Sequence, residues 1–461
     1  MSKTKTLDMT TGNPLSLLIK FSIPLVLGSI FQQLYSFADT AIVGRCISVQ
    51  ALSAVGVTGA LNFLVLGLTM GCAMGFGIPI SQSVGANNKE DISRYFWNGL
   101  YLCLGIGLVI SIGVSIFVEP LLVMMNTPAE LLDMAVSYLR IIFMGQITTV
   151  LYNYFAAVLR AFGDSQRPFY FLLVSSGLNI VLDLVFILVI PMGVAGAALA
   201  TVISQGVSVV LCVWWLFTKM NVIHRADENE VSWTKMSKKH MKTACIIGVP
   251  LGLEYSVTSI GNVILQSSIN SMGAVVAAAQ ICGERIRAIA TMPMENVGMA
   301  VATYTGQNYG AKRLDRIKDG VKAGMIINVV YCAAAWLVLF VLKKPLVYLL
   351  LGEVISAEAV KAIEYLTVIT TLFVFHGSLM VFRNTVQGMG YSASALAASV
   401  MEIIGRSGAG ILAVYFNSFF IICVSSPSAW ILAMIMCIIL YGYYMRKESR
   451  LSDNAGNNEM L

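Results

Sequence analysis

Charge is what this chain has least of. Only 12% of its 461 residues are Asp, Glu, Lys or Arg, about half the share of a soluble domain. So few charges cannot cover a soluble surface, and no soluble domain fits between the apolar segments. Histidine is nearly missing, with three copies: His224 and His240 in a polar stretch and His376 near an apolar one. The nine cysteines, among them Cys72, Cys103, Cys212, Cys332 and Cys437, are scattered without CxxC spacing. They read as small packing residues, not as a disulfide or metal framework. These scarcities argue against a zinc or iron site, and no cofactor is expected. A cleavable signal peptide is not expected either, because Met1–Asn13 is polar and the first apolar run is long enough to span. Basic residues gather at segment ends and form no patch suited to nucleic acid.

What is present is apolar: 57% hydrophobic residues and a mean hydropathy of +0.79. The expected fold is an all-α polytopic membrane protein of twelve spans. They cover roughly 15–43, 48–79, 92–118, 131–159, 168–190, 194–218, 243–271, 275–305, 318–342, 360–387, 393–417 and 425–445. Lys and Arg cluster at alternate ends, for example Lys89, Arg94, Arg160, Arg167, Lys238 and Lys239. By the positive-inside rule both termini and the central linker face the cytoplasm of a cell (inner) membrane protein.

One long polar stretch interrupts the interior. It divides the chain into a six-helix lobe at 1–218, a linker at 219–242, a second six-helix lobe at 243–446 and a tail at 447–461. Ser81-Gln-Ser-Val-Gly-Ala-Asn87 matches Gly306-Gln-Asn-Tyr-Gly-Ala-Lys312 at an offset of 225, and Ala161-Phe-Gly-Asp-Ser165 matches Gly388-Met-Gly-Tyr-Ser392 at 227. Either the matches are Gly-containing turns between helices, or they mark a repeat; an even number of spans per half then makes the repeats parallel, with a site expected near the midplane.

Asp183 sits inside an apolar run of span length, with Asn179 four residues earlier and so on the same helical face. A carboxylate at bilayer depth costs about 2.5–3.5 kcal/mol on insertion scales and faces a bundle interior or a wet cavity. Either a neutral, hydrogen-bonded Asp183 ties two helices together, or it forms a cation or proton site. Asp39 lies in the first span, fifteen residues after Pro24. A proline removes a helical hydrogen bond and kinks the helix, so Asp39 is either the acid of a bending helix or merely wetted by the outer face. Under the repeat Asp183 shifts onto Gly410 and Asp39 to the neighbourhood of Leu265, which gives the first half a role of its own.

In the second half Glu284 has Arg287 three residues on and Glu402 has Arg406 four on, spacings that suit ion pairs within a helix. Glu295 is a further acid. Glu254 follows Pro250 and has no partner nearby in sequence, which makes it a second-lobe coupling candidate. Gln33, Tyr35, Asn153, Tyr154, Phe155, Gln280 and Met292 are candidates for the wall of a substrate cavity, where aromatic and Met side chains suit flat cations.

Phe21-Ser-Ile-Pro-Leu25 and Gln32-Gln-Leu-Tyr-Ser-Phe-Ala-Asp-Thr-Ala-Ile-Val-Gly-Arg45 resemble the first helix of the multidrug and toxic compound extrusion (MATE) family. Leu159–Ser165, Leu178–Asp183, Gly193–Thr201 and Tyr304–Ala311 extend the resemblance. It implies two six-helix lobes in an inverted V and export of organic cations against protons or sodium ions. It is closest to the DinF-type branch, whose coupling cluster in the first lobe corresponds to Asp39, Asn179, Asp183 and Thr201, with Pro24 as the bend. No catalytic residue is expected. A lipid-linked oligosaccharide flippase, or an exporter of a specific non-cationic metabolite, is the alternative. A monomer suffices.

Overall fold

The computed structural model describes residues 6–220, 235–352 and 356–458. Part of the expected linker, including His224, and the last residues of the tail lie outside them. The described residues form fifteen α-helices and no strand. They are α1 (Pro14–Cys46), α2 (Val49–Val57), α3 (Gly59–Gly85), α4 (Lys89–Met124), α5 (Ala129–Met144), α6 (Gln146–Ala161), α7 (Gln166–Leu184) and α8 (Val194–Thr218), then α9 (Lys238–Ser271), α10 (Ala274–Gly310), α11 (Leu314–Leu351), α12 (Ala357–Thr371), α13 (Phe373–Gly388), α14 (Ser392–Tyr415) and α15 (Phe419–Asn458).

Among the described residues, nine helices are long and apolar enough to cross a membrane. Two bent pairs, α5–α6 at 44° and α12–α13 at 47°, raise the number to eleven. The one expected span outside this number, 275–305, is α10, whose Glu284, Arg285, Arg287 and Glu295 lower its hydropathy. The second expected span is broken at Thr58 into α2 and α3. Two further boundaries differ from the sequence reading: α9 starts at Lys238, inside the expected linker, and α15 continues through the expected tail to Asn458.

The chain divides into two compact units, and the division falls inside helices. Unit 1 is Met1–Asp8 with Ile23–Gly252; unit 2 is Met9–Ser22 with Leu253–Leu461. The changeover in α1 comes just before Pro24 and that in α9 just after Pro250.

Within unit 1, α3 packs on the first half of α9 through backbone. A Cβ on Gly71 would lie 2.6 Å from the Gly252 Cα, and one on Gly75 would lie 2.4 Å from the Gly248 Cα. Small residues four apart on both helices allow this approach, which replaces a hydrophobic driving force with close van der Waals contact in lipid. Cys72 lines the same seam beside Gly252, and all nine cysteines are free thiols. Elsewhere in the unit Phe76, Phe96, Tyr154, Phe155 and Leu159 form a buried core. In unit 2 the core is built around Tyr365, Phe373 and Trp430.

The two sequence repeats are local structures. Asn87 (φ 52°) and Lys312 (φ 56°) both take the left-handed conformation after a helix end, and so do Gly163 (φ 83°) and Gly390 (φ 93°). Each closes its helix with the same bonds. Asn88 donates to the Ser83 carbonyl and Arg313 to that of Asn308, while Gly163 donates to Arg160 and Gly390 to Gln387. The matching segments are therefore helix-stop signals.

Candidate functional site

The site in unit 1 is assembled from α1, α5, α7 and α8. α1 runs without interruption through Pro24, although that residue cannot donate to the Lys20 carbonyl. It carries Tyr35 and Asp39 on one face, one turn apart. α7 presents Asn179 (2% exposed) and Asp183 (0% exposed). Directly behind Asp183 the helix widens into a π-helical turn, Val185–Val189, closed by Ile190 N–H to the Val185 carbonyl at 3.0 Å. Such turns concentrate at functional positions because they redirect side chains without ending the helix.

The carboxyl groups of Asp39 and Asp183 lie within hydrogen-bonding reach of one another. Asn179 is oriented with its amide nitrogen donating to Asp183 Oδ2 at 3.2 Å and its oxygen accepting from the Thr201 backbone N–H at 3.2 Å. Thr201 Oγ1 donates to the Ala197 carbonyl at 3.1 Å and is hydrogen-bonded to the Tyr35 hydroxyl. Tyr138, buried on α5, lies close enough to interact electrostatically with both carboxyl groups. Asp39 Oδ1 and Asp183 Oδ1 have no hydrogen-bond partner among the described residues. Neither acid is ion-paired with Lys or Arg there. The four first-lobe residues singled out in the sequence thus share one site. Tyr138 joins them from a helix whose sequence gives no hint of it.

The acids of unit 2 are arranged differently. Glu254, on α9, accepts from Arg383 Nη1 at 2.9 Å and from Gln387 Nε2 at 2.7 Å. The other terminal nitrogen of Arg383 donates to Glu402 on α14, and Arg406 pairs with the same carboxylate at 3.2 Å. Two acids and two guanidinium groups alternate, all buried or nearly so. Glu284 pairs with Arg287 at 2.5 Å and accepts the Tyr365 hydroxyl, also at 2.5 Å. His376 lies 3.7 Å from Glu295 and against the Trp430 ring. Arg383, Gln387, Tyr365 and His376 are partners that helical spacing could not reveal, because each comes from another helix.

The cavity candidates divide. Tyr35 belongs to the Asp39–Asp183 cluster. Gln33, Asn153 and Met292 are half-buried, Asn153 donating to the Thr149 carbonyl at 2.9 Å, and Gln280 is buried. Tyr154 and Phe155 correct the sequence reading. Both lie in the core of unit 1, with the Tyr154 hydroxyl donating to the Phe96 carbonyl at 2.6 Å, so neither side chain is open to a ligand.

The MatE family model matches residues 24–185 and 250–406. The probable multidrug resistance protein YpnP of Bacillus subtilis is 30% identical over 389 residues, 84% of this chain and 85% of that protein. The probable multidrug resistance protein YoeA of the same organism is 27% identical over 435 residues, 92% of each chain. The crystal structure of MATE in the bent conformation superposes with a TM-score of 0.90 at 23% identity, covering 98% of this chain and 100% of that one.

Proposed function

The chain belongs to the MATE family, and from that premise we propose that it is an ion-coupled antiporter exporting amphipathic organic cations across the cell membrane, with both termini cytoplasmic. Its relatives named as multidrug resistance proteins support small-molecule efflux. The observation that carries the ion coupling is the contact between Asp39 and Asp183 without a basic side chain to neutralise it. Two carboxylates at hydrogen-bonding distance cannot both stay charged in a dry site unless a cation sits between them. A proton shared by the pair meets that need. A sodium ion meets it equally, with the oxygens of both acids and the Thr201 hydroxyl as hard ligands.

In this mechanism the coupling ion ties α1 to α7. Loss of the ion leaves like charges face to face and pushes the outer half of α1 away, with Pro24 as the weak point of the helix. Ion binding and substrate binding then favour different shapes of α1, which is what exchange requires. One proton entering through 100 mV gains about 2.3 kcal/mol and one monovalent cation leaving costs the same. One-for-one exchange therefore depends on the concentration gradient, about 1.4 kcal/mol per pH unit, and not on voltage.

The test is flux of ethidium in liposomes holding the purified protein, with proton and sodium gradients imposed separately at clamped voltage. Ethidium movement under one gradient and not the other is the expected result. Equal movement with neither gradient imposed would mean a passive pore and would remove the ion from the mechanism.

A further inference from the structure

Unit 1 has a cavity of about 550 Å³ between α4, α5 and α6, apart from the ion site. Its inner wall carries Ser111 and Ser115, one turn apart on α4 and both buried, whose hydroxyls have no hydrogen-bond partner. A helical serine ordinarily donates to the carbonyl four residues back, as Ser22, Ser53 and Ser83 do in this chain. These two do not. Ile112, Ile116 and Met144 form the rim, and each is more than half exposed. On membrane-spanning helices such a rim meets acyl chains.

The polar end of the cavity is Arg140 on α5, whose guanidinium stands 3.9 Å from Glu119 of α4, with both side chains partly open. Glu119 lies five residues before the end of α4 at Met124, about 8 Å along the axis. Ser115 is one turn deeper and Ser111 one turn deeper again. From the helix end inward lie the Glu119–Arg140 pair, of which Arg140 lines the cavity, then the two serines, then hydrocarbon.

We propose that this cavity holds a membrane phospholipid with a phosphoethanolamine headgroup. Its phosphate accepts from Arg140, its ammonium meets Glu119, and its ester carbonyls accept from Ser115 and Ser111. One acyl chain lies along Ile112, Ile116 and Met144. The charge pattern selects this headgroup over a purely anionic one. An anionic lipid satisfies Arg140 but sets its charge against Glu119, whereas a zwitterion separates the loose pair and satisfies both ends.

The full-length protein, purified in mild detergent and stripped of lipid, is titrated with phosphatidylethanolamine and with phosphatidylglycerol and followed by native mass spectrometry. One phosphatidylethanolamine should bind at least tenfold more tightly than phosphatidylglycerol. The E119Q/R140Q variant should lose that preference, while the swapped E119R/R140E variant, which keeps both charges, should retain most of it. S111A/S115A should weaken binding several-fold without changing the preference. Equal binding of the two lipids by the wild type, or tighter binding of phosphatidylglycerol, overturns the proposal, as does an unchanged preference in E119Q/R140Q. The wild-type comparison decides the matter even where a variant fails to fold.

Discussion

In unit 1 Asp39 and Asp183 face each other with no basic side chain between them. In unit 2 Glu254 and Glu402 are bridged by Arg383, and Arg406 closes the set. The two units thus treat their interior acids in opposite ways. A guanidinium that holds its carboxylates permanently leaves no vacancy for a mobile ion. Under the proposed antiport the unpartnered pair of unit 1 is where a mobile ion would bind, whereas the acids of unit 2 are already paired.

Replacing Arg383 by Met should have the largest effect. It leaves two buried carboxylates unpaired, and breaking a buried pair costs about 3–5 kcal/mol. A sharply lower melting temperature in detergent is expected; a change of only a degree or two would mean that the cluster does not hold unit 2 together. Asp183→Asn should act in the reverse sense. Transport is expected to fall about 100-fold or more, equivalent to about 2.7 kcal/mol, while the melting temperature stays level or rises because a like-charge contact is gone. An Asp183→Asn protein that still drives ethidium flux under an ion gradient would end the contrast between the units.

Asn179→Ala removes a hydrogen bond to a charged group, a contribution of about 1.5–3 kcal/mol. It should weaken the coupling ion roughly tenfold, read as a shift of the half-saturating ion concentration with maximal flux nearly kept. Pro24→Ala should do least. Restoring one backbone bond straightens and stabilises α1, and the expected outcome is a few-fold slower turnover with unaltered ion affinity. A change in affinity would place Pro24 within the ion site's own geometry.

How much of this was legible in the sequence follows from the range of each interaction. Asn179 and Asp183 are four residues apart on one helix, and Glu284–Arg287 and Glu402–Arg406 obey the same spacing, so periodicity alone reaches them. The helix stops at Asn87 and Lys312 could be read because a left-handed residue after a glycine-bearing segment is a local signal. Arg383 could not be paired with Glu254 from the sequence, since 129 residues separate them and the contact exists only once α9 and α13 have packed. Tyr154 misled for a related reason. Its type suits a cavity wall, but which face of α6 meets Phe96 is decided by the neighbouring helix.

The turn behind Asp183 closes with a bond from Ile190 back to Val185, five residues apart, where an α-helix bonds residues four apart. The extra length is slack in the thread of α7, held between Asp183 and the reversal at Pro191. Deleting a single residue there would return the segment to an ordinary α-helix with the flanking turns nearly in phase, so only the wide turn beside Asp183 would be lost. The extra residue thus reshapes the backbone next to this carboxylate without re-aiming the rest of α7.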